Sequence, residues 1–307
     1  MNLGNTSLAF RFHPLAIATA ISLAAAYPLA LALVLRHREV RIASKNTSKE
    51  KLPLRFILKY ATGHQIASFY TGIALALIAV GWPLGDLARK YSLLAYLLSN
   101  SMLMLGTIPL ILLAFPKWFY AEITRGKFID GFARQTTRPI PSTIIFTTAV
   151  IFSMAPSVVE AQSSSQVIWD LYHLVLVCSA AIMWLTALNL LPGLQGLSSL
   201  GRVAFLFAQS LLPTFPALVL VFARHSMYRP FMFEAPRIGL TSLADQQLAG
   251  GVVKLIAIVV FWSVAATILA RASRDEEHGI DLDQITWDDI ERELNRSSPM
   301  QESEQET

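Results

Sequence analysis

The chain has 307 residues, 54% of them hydrophobic and only 15% charged, with a net charge of +4 and a mean hydropathy of +0.49. Soluble domains carry about 25% charged residues, so this composition excludes an ordinary water-soluble domain and argues for an integral membrane protein. Nucleic-acid binding is excluded on the same ground: the pI of about 9.2 comes largely from loops between apolar runs, with no soluble domain to present a basic groove.

A membrane-crossing helix needs ~20 apolar residues. Seven such runs follow one another, at about 14–35, 66–84, 92–115, 140–158, 168–191, 202–223 and 249–270. The predicted fold is therefore all-α, a single bundle of seven transmembrane helices over residues 1–271, with an acidic, largely disordered tail over 272–307. The first run is long, and its positive charge follows it, so it reads as a retained span rather than a cleaved signal peptide. The loop after it carries Arg36, Arg38, Arg41, Lys45, Lys49, Lys51, Arg55 and Lys59. The loop after the third run carries Lys117, Arg125, Lys127, Arg134 and Arg138. Positive charge marks the cytoplasmic side, whereas "SVVEAQSSSQV" after the fourth run has neither Lys nor Arg. The predicted topology has the N-terminus outside and the C-terminus in the cytoplasm. The basic loops fix this orientation and touch anionic lipid. A few arginines in "GDLARKY" and "ARHSMYRPFMFEAPR" fall on the outer side against the rule.

The fifth run holds the one cysteine, Cys178, which can form no disulfide within the chain and reads as a small buried apolar residue. In the tail, Thr286 followed by Asp289 resembles a capping box. It opens a short helix near 287–295 with Ile290 and Leu294 on one face and Trp287 beside them.

The predicted topology collects unusual side chains at the outer end: His13, Tyr96, Asn100, Met154, His173, His225, Asp245 and Gln246. His37, His64 and His278 fall on cytoplasmic segments. Tyr96 and Asn100 are one turn apart and share a face. "TSLADQQLAGG" opens the seventh run, and charged or amide side chains are costly beside hydrocarbon. Asp245 either caps a helix or orients a ligand. Met154 beside Pro156 is a packing residue on one reading and a soft ligand on the other. Imidazole, thioether and carboxylate together suit copper or another late first-row metal. Lys254, about two turns deeper, must snorkel or pair.

The ordered motifs "FHPLA", "SFYTGIALALIAVGWPLGDLA", "YLLSNSMLMLGTIPLILLAFP", "YHLVLVCSAAIMWL", "LLPTFPALVLVFARHSMYRPF" and "LADQQLAGGV" resemble the CtaG-type cytochrome c oxidase assembly factors, seven-span bacterial membrane proteins, over roughly 10–271. The resemblance implies a non-enzymatic assembly factor for a haem-copper oxidase in the bacterial inner membrane, supporting copper insertion at the outer face. Its implied partners are oxidase subunits, the lipid bilayer and a periplasmic copper chaperone. The chain departs from the family pattern. Tyr96 and Asn100 stand at the positions of a His-x-x-x-His pair, Met154 stands at a His of the fourth span, and Trp169 stands at one His of the fifth. His13, His173, Asp245 and Gln246 remain. The implied metal ligands are His13, Met154 and His173, with Tyr96, Asn100, Asp245 and Gln246 orienting a ligand. The alternative is a metal-free membrane scaffold or chaperone for oxidase subunits. A haem protein ligated by His13 and His173 is a third possibility, without any haem-attachment motif. There is no Gly-x-Ser-x-Gly, phosphate loop or His-Glu-x-x-His to suggest hydrolytic or group-transfer chemistry.

Overall fold

The computed structural model describes residues 14–43, 61–81, 83–191, 196–233, 235 and 239–277. The described residues form helices and no strand. In chain order these are α1 (Pro14–Ala43), α2 (Gly63–Val80), α3 (Leu84–Lys90), α4 (Leu93–Ala114), α5 (Lys117–Ile123), α6 (Lys127–Thr136), α7 (Pro139–Ser153), α8 (Pro156–Ser164), α9 (Gln166–Leu188), α10 (Ser199–Val221), α11 (Arg229–Met232) and α12 (Ser242–Glu277). The expected tail helix near 287–295 lies outside the described residues.

Local chemistry sets the helix ends. Thr62 and Gln65 form a reciprocal capping box at α2: the Thr62 N–H donates to Gln65 Oε1 at 2.9 Å, and the Gln65 N–H donates to Thr62 Oγ1 at 3.4 Å. Ser165 and Ser198 cap α9 and α10. Asn189 ends α9 in the left-handed region at φ 48°, and its Nδ2 donates to the Leu197 carbonyl at 2.8 Å, which holds the turn toward α10.

Among the described residues six helices are long and apolar enough to cross a bilayer, and the bent pair α7–α8 makes seven where it is counted as one span. The expected continuous fourth span at 140–158 is instead broken. α7 and α8 meet at 70° because Pro156 offers no N–H and holds Ala155 in an extended conformation (φ −74°, ψ 125°). The 15 residues of α7 measure about 22 Å at 1.5 Å per residue, short of a full hydrocarbon core of ~30 Å. α7 nevertheless runs antiparallel to α9 from end to end. Near its start, the Ser142 hydroxyl lies 3.2 Å from that of Thr186. Near its finish, the Ala149 carbonyl accepts from the Tyr172 hydroxyl at 2.6 Å.

The main core is built from α4, α7, α9, α10 and α12, with Tyr96, Phe146, Leu176, Trp184, Leu206 and Phe261 inside. α4 contains a π-helical segment at Met102–Thr107. There the buried Trp184 indole N–H donates to the Met104 carbonyl at 2.8 Å, tying the irregular turn to α9. A second, smaller cluster joins α1 to α2 and α5. Tyr27 of α1 stacks on Phe69 at 4.1 Å, and its hydroxyl donates to the Ala114 carbonyl at 2.9 Å. Cys178 is exposed on the outside of the bundle, contrary to the buried position expected for it. An apolar run does not say which of its faces meets lipid.

α12 begins earlier and ends later than the apolar run at 249–270, so Asp245, Gln246 and Gln247 lie within its first turns. It packs tightly on the second half of α10. A Cβ at Gly250 would meet the Ala217 carbonyl oxygen at 2.6 Å and Leu220 Cβ at 2.9 Å. α10 breaks at Pro213, and Lys254 resolves the polar group left there. Its ammonium donates to the Ser210 carbonyl at 2.5 Å and to the Thr214 hydroxyl, the kind of repair that makes a proline tolerable inside a membrane. Lys254 therefore pairs within the bundle. A cavity of about 40 Å³ adjoins it, lined among others by Gln209, Met104 and Met154.

Gly250→Leu forces α12 away from α10 and should destabilise the bundle by about 1–3 kcal/mol, the range for overpacking a close-packed contact. Thermal unfolding in detergent, compared with Gly251→Leu, whose Cβ would meet nothing within 4 Å, checks this. The Gly251 variant should unfold near the wild-type temperature.

Candidate functional site

The helices α4, α9 and α12 all begin at one end of the bundle, the end that the charge pattern predicts to be outer. We call it the polar end. Ser92 caps α4: its backbone is extended (φ −150°, ψ 128°) and its hydroxyl accepts from the Ala95 N–H at 3.1 Å. The same hydroxyl donates to Asp245 Oδ1 at 2.5 Å. Asp245 Oδ2 accepts from the Leu93 N–H at 2.6 Å, and Oδ1 accepts from the Leu94 N–H at 3.4 Å. Asp245 is 0% exposed. It is thus a cap, but of a neighbouring helix rather than its own. α12 itself is capped by Thr241, whose hydroxyl accepts from the Ala244 N–H at 3.1 Å. Placing the carboxylate on the α4 N–H groups satisfies donors that have no partner within the helix, and puts negative charge at the positive end of its dipole.

The next two residues fasten other segments. Gln246 Oε1 accepts from the Met227 N–H at 2.8 Å, and Gln247 Nε2 donates to the Ala223 carbonyl at 3.0 Å. The Asp-Gln-Gln run therefore binds the start of α12 to α4 and, through two residues, to the segment that follows α10.

A second group lies alongside. The Tyr96 hydroxyl, buried, accepts from Gln162 Nε2 of α8 at 2.8 Å. The Tyr96 ring lies 5.8 Å from that of Trp169, and Trp169 lies 4.5 Å from the imidazole of His173. The Arg89 guanidinium of α3 sits 5.7 Å over the Trp169 ring. His173 Nδ1 is 2.8 Å from the Trp169 carbonyl. The Tyr228 hydroxyl donates to the Met154 carbonyl, which fixes the bend between α7 and α8. Burial pushes the Tyr228 phenol above its usual value, so it remains a donor there. Asn100 is also buried, and Gln162 Oε1 and Gln246 Nε2 are without hydrogen-bond partners.

Of the residues singled out from sequence, Tyr96, His173, Asp245 and Gln246 thus fall into two neighbouring polar groups, with Asn100 one turn below Tyr96. Met154 marks the helix bend and lines the cavity beside Lys254. His225 is exposed, and His13 lies outside the described residues. Ser92, Gln162, Tyr228 and Arg89 complete the site and were not singled out. Ser92 carried a readable cap signal before an apolar run, whereas Gln162 sat unmarked in a polar loop.

Among the described residues no three His, Cys, Asp or Glu converge. The Asp245 oxygens are engaged with α4, and the Tyr96 oxygen is engaged with Gln162. Met154 shares its cavity with an ammonium group that would repel a cation. Among the described residues His173 is the one imidazole in the cluster, and its Nδ1 is the ring nitrogen engaged with the Trp169 carbonyl.

The family model for the cytochrome c oxidase caa3 assembly factor (Caa3_CtaG) matches residues 54–275, well over half the chain. The chain belongs to that family. Neither a curated protein nor a solved structure matches it. The matched range begins after α1, so the first span lies outside it.

Asp245→Ala strips the partner from two backbone N–H groups and a hydroxyl, and should cost at least about 2 kcal/mol, given 1.5–3 kcal/mol for a hydrogen bond to a charged group. Ser92→Ala should cost less. In a double-mutant cycle read by thermal unfolding, the two should be strongly non-additive. Additive effects would mean that the two side chains do not act together.

Proposed function

We propose that the chain serves haem-copper oxidase assembly as a metal-free holding protein in the bacterial inner membrane. The polar end keeps the helix ends in one arrangement against which an oxidase subunit packs. The observation that carries this reading is the engagement of Asp245, Gln246 and Gln247, each bonded to another segment of the same chain. Side chains of the "LADQQLAGGV" motif are thereby taken up by contacts within the chain. Tyr96 and Trp169, which replace the histidines of the resembled pattern, join a hydrogen-bonded and stacked chain. A non-enzymatic role fits these engaged side chains best.

Copper insertion through His13, Met154 and His173 is the competing reading. Its support is His173. A metal-ligating histidine commonly has its second ring nitrogen held by a carbonyl, and Nδ1 of His173 is so held by Trp169.

Oxidase isolated from cells lacking this protein separates the two. A holding role predicts less assembled complex with an unchanged copper-to-haem ratio, restored by the His173→Ala variant as well as by wild type. A fall in copper while the subunits still assemble, reproduced by His173→Ala, would overturn the holding role in favour of copper delivery.

A further inference from the structure

The geometry points to α6 as a membrane-surface site for anionic phospholipid headgroups at the end of the bundle opposite the polar end. On a helical projection of α6, Phe128, Ile129, Phe132 and Ala133 occupy one half and Lys127, Asp130, Gly131 and Arg134 the other. The apolar half is not turned into the protein: Phe128 is 86% exposed, Phe132 58% and Ile129 45%, and no residue of α6 is buried. Exposed phenylalanines on a helix of this pattern need a cover, and its position supplies one. Before α6, the Tyr120 hydroxyl of α5 donates to the Leu112 carbonyl at 2.5 Å, holding the chain against the last turn of α4. After it, the Thr137 carbonyl lies 3.1 Å from the Thr186 hydroxyl near the end of α9. Both flanks are therefore fixed at the ends of membrane-crossing helices, and α6 lies at the boundary of the bilayer.

Charge selects the lipid. Between residues 117 and 138 there are five basic side chains, Lys117, Arg125, Lys127, Arg134 and Arg138, against two acidic ones, Glu122 and Asp130. Arg134 is paired with Asp130 at 2.7 Å, and Arg125 is 3.4 Å from Glu122. Lys117, Lys127 and Arg138 are exposed; Lys127 opens α6 and Arg138 follows two residues after its end. An amphipathic helix with a basic border lies in the interface plane, its apolar face in the acyl boundary and its cations on anionic headgroups. The acidic tail beyond Glu277 is the other conceivable cover, and the test distinguishes it.

Full-length protein with its one cysteine removed (Cys178→Ser) is spin-labelled at Ile129→Cys on the apolar half or at Gly131→Cys on the polar half, where an added Cβ would meet nothing within 4 Å. It is then reconstituted in vesicles of phosphatidylcholine alone or of equal parts phosphatidylcholine and phosphatidylglycerol. The accessibility of each label to oxygen and to a water-soluble nickel chelate is measured. In the anionic vesicles the oxygen-to-nickel ratio should be severalfold higher at 129 than at 131. The ratio at 129 should fall in neutral vesicles and when Lys117, Lys127 and Arg138 are replaced by glutamine. Equal nickel access at both positions would place the helix off the membrane and overturn the proposal. So would a ratio at 129 that ignores lipid charge. Shielding of 129 from both reagents, relieved by truncation after Glu277, would show that the tail covers the face instead.

Discussion

The buried carboxylate of Asp245 is the point on which the polar end of the bundle depends. An α-helix begins with N–H groups that have no partner inside it, and beside hydrocarbon no water can take their place. At the start of α4 the partner comes from another helix: Asp245 accepts from the Leu93 and Leu94 N–H groups and from the Ser92 hydroxyl. One side chain thereby sets the depth and the relative position of α4 and α12. Gln246 and Gln247 extend the fastening to Met227 and Ala223. Further down, Gly250 lets α12 close onto α10, and Lys254 satisfies the carbonyl at the Pro213 break. The whole face of α12 toward the bundle is organised as contacts to its neighbours.

Much of the architecture was legible in the sequence, because the length of an apolar run reports directly on whether a helix can cross a bilayer. Six spans needed nothing more. The fourth did not read correctly, since residues 140–158 look like one apolar run while Pro156 redirects the backbone by 70°. The signal was present, but hydropathy averages over it. The start of α12 was also placed too late. Asp245 and the two glutamines look like loop residues until their partners on other helices are known. Cys178 shows the same limit, because composition gives the depth of a residue in a span and not the side it faces.

The candidate site was legible as a set of residues but not as a set of roles. Asp245 could be read either as a cap or as a ligand-orienting group, and which helix it caps is a tertiary fact. Tyr96 and His173 are brought into one aromatic chain through Trp169, a residue that drew attention only as the replacement of a histidine. Gln162 is engaged with Tyr96 only because α8 folds back over α4 after the bend. Membership of the oxidase assembly factor family rests on the match over 54–275. In this chain the polar end is fastened by its own side chains, Asp245, Gln246 and Gln247.

Amide hydrogen exchange at Leu93 and Leu94 tests the Asp245 fastening most directly. In the wild-type protein these two amides should exchange slowly, as groups bonded to a buried carboxylate, and in Asp245→Ala they should exchange much faster while the middle of α4 stays protected. If their exchange is fast in the wild type, or the same in the variant, Asp245 does not hold the start of α4 and the account of the polar end is wrong.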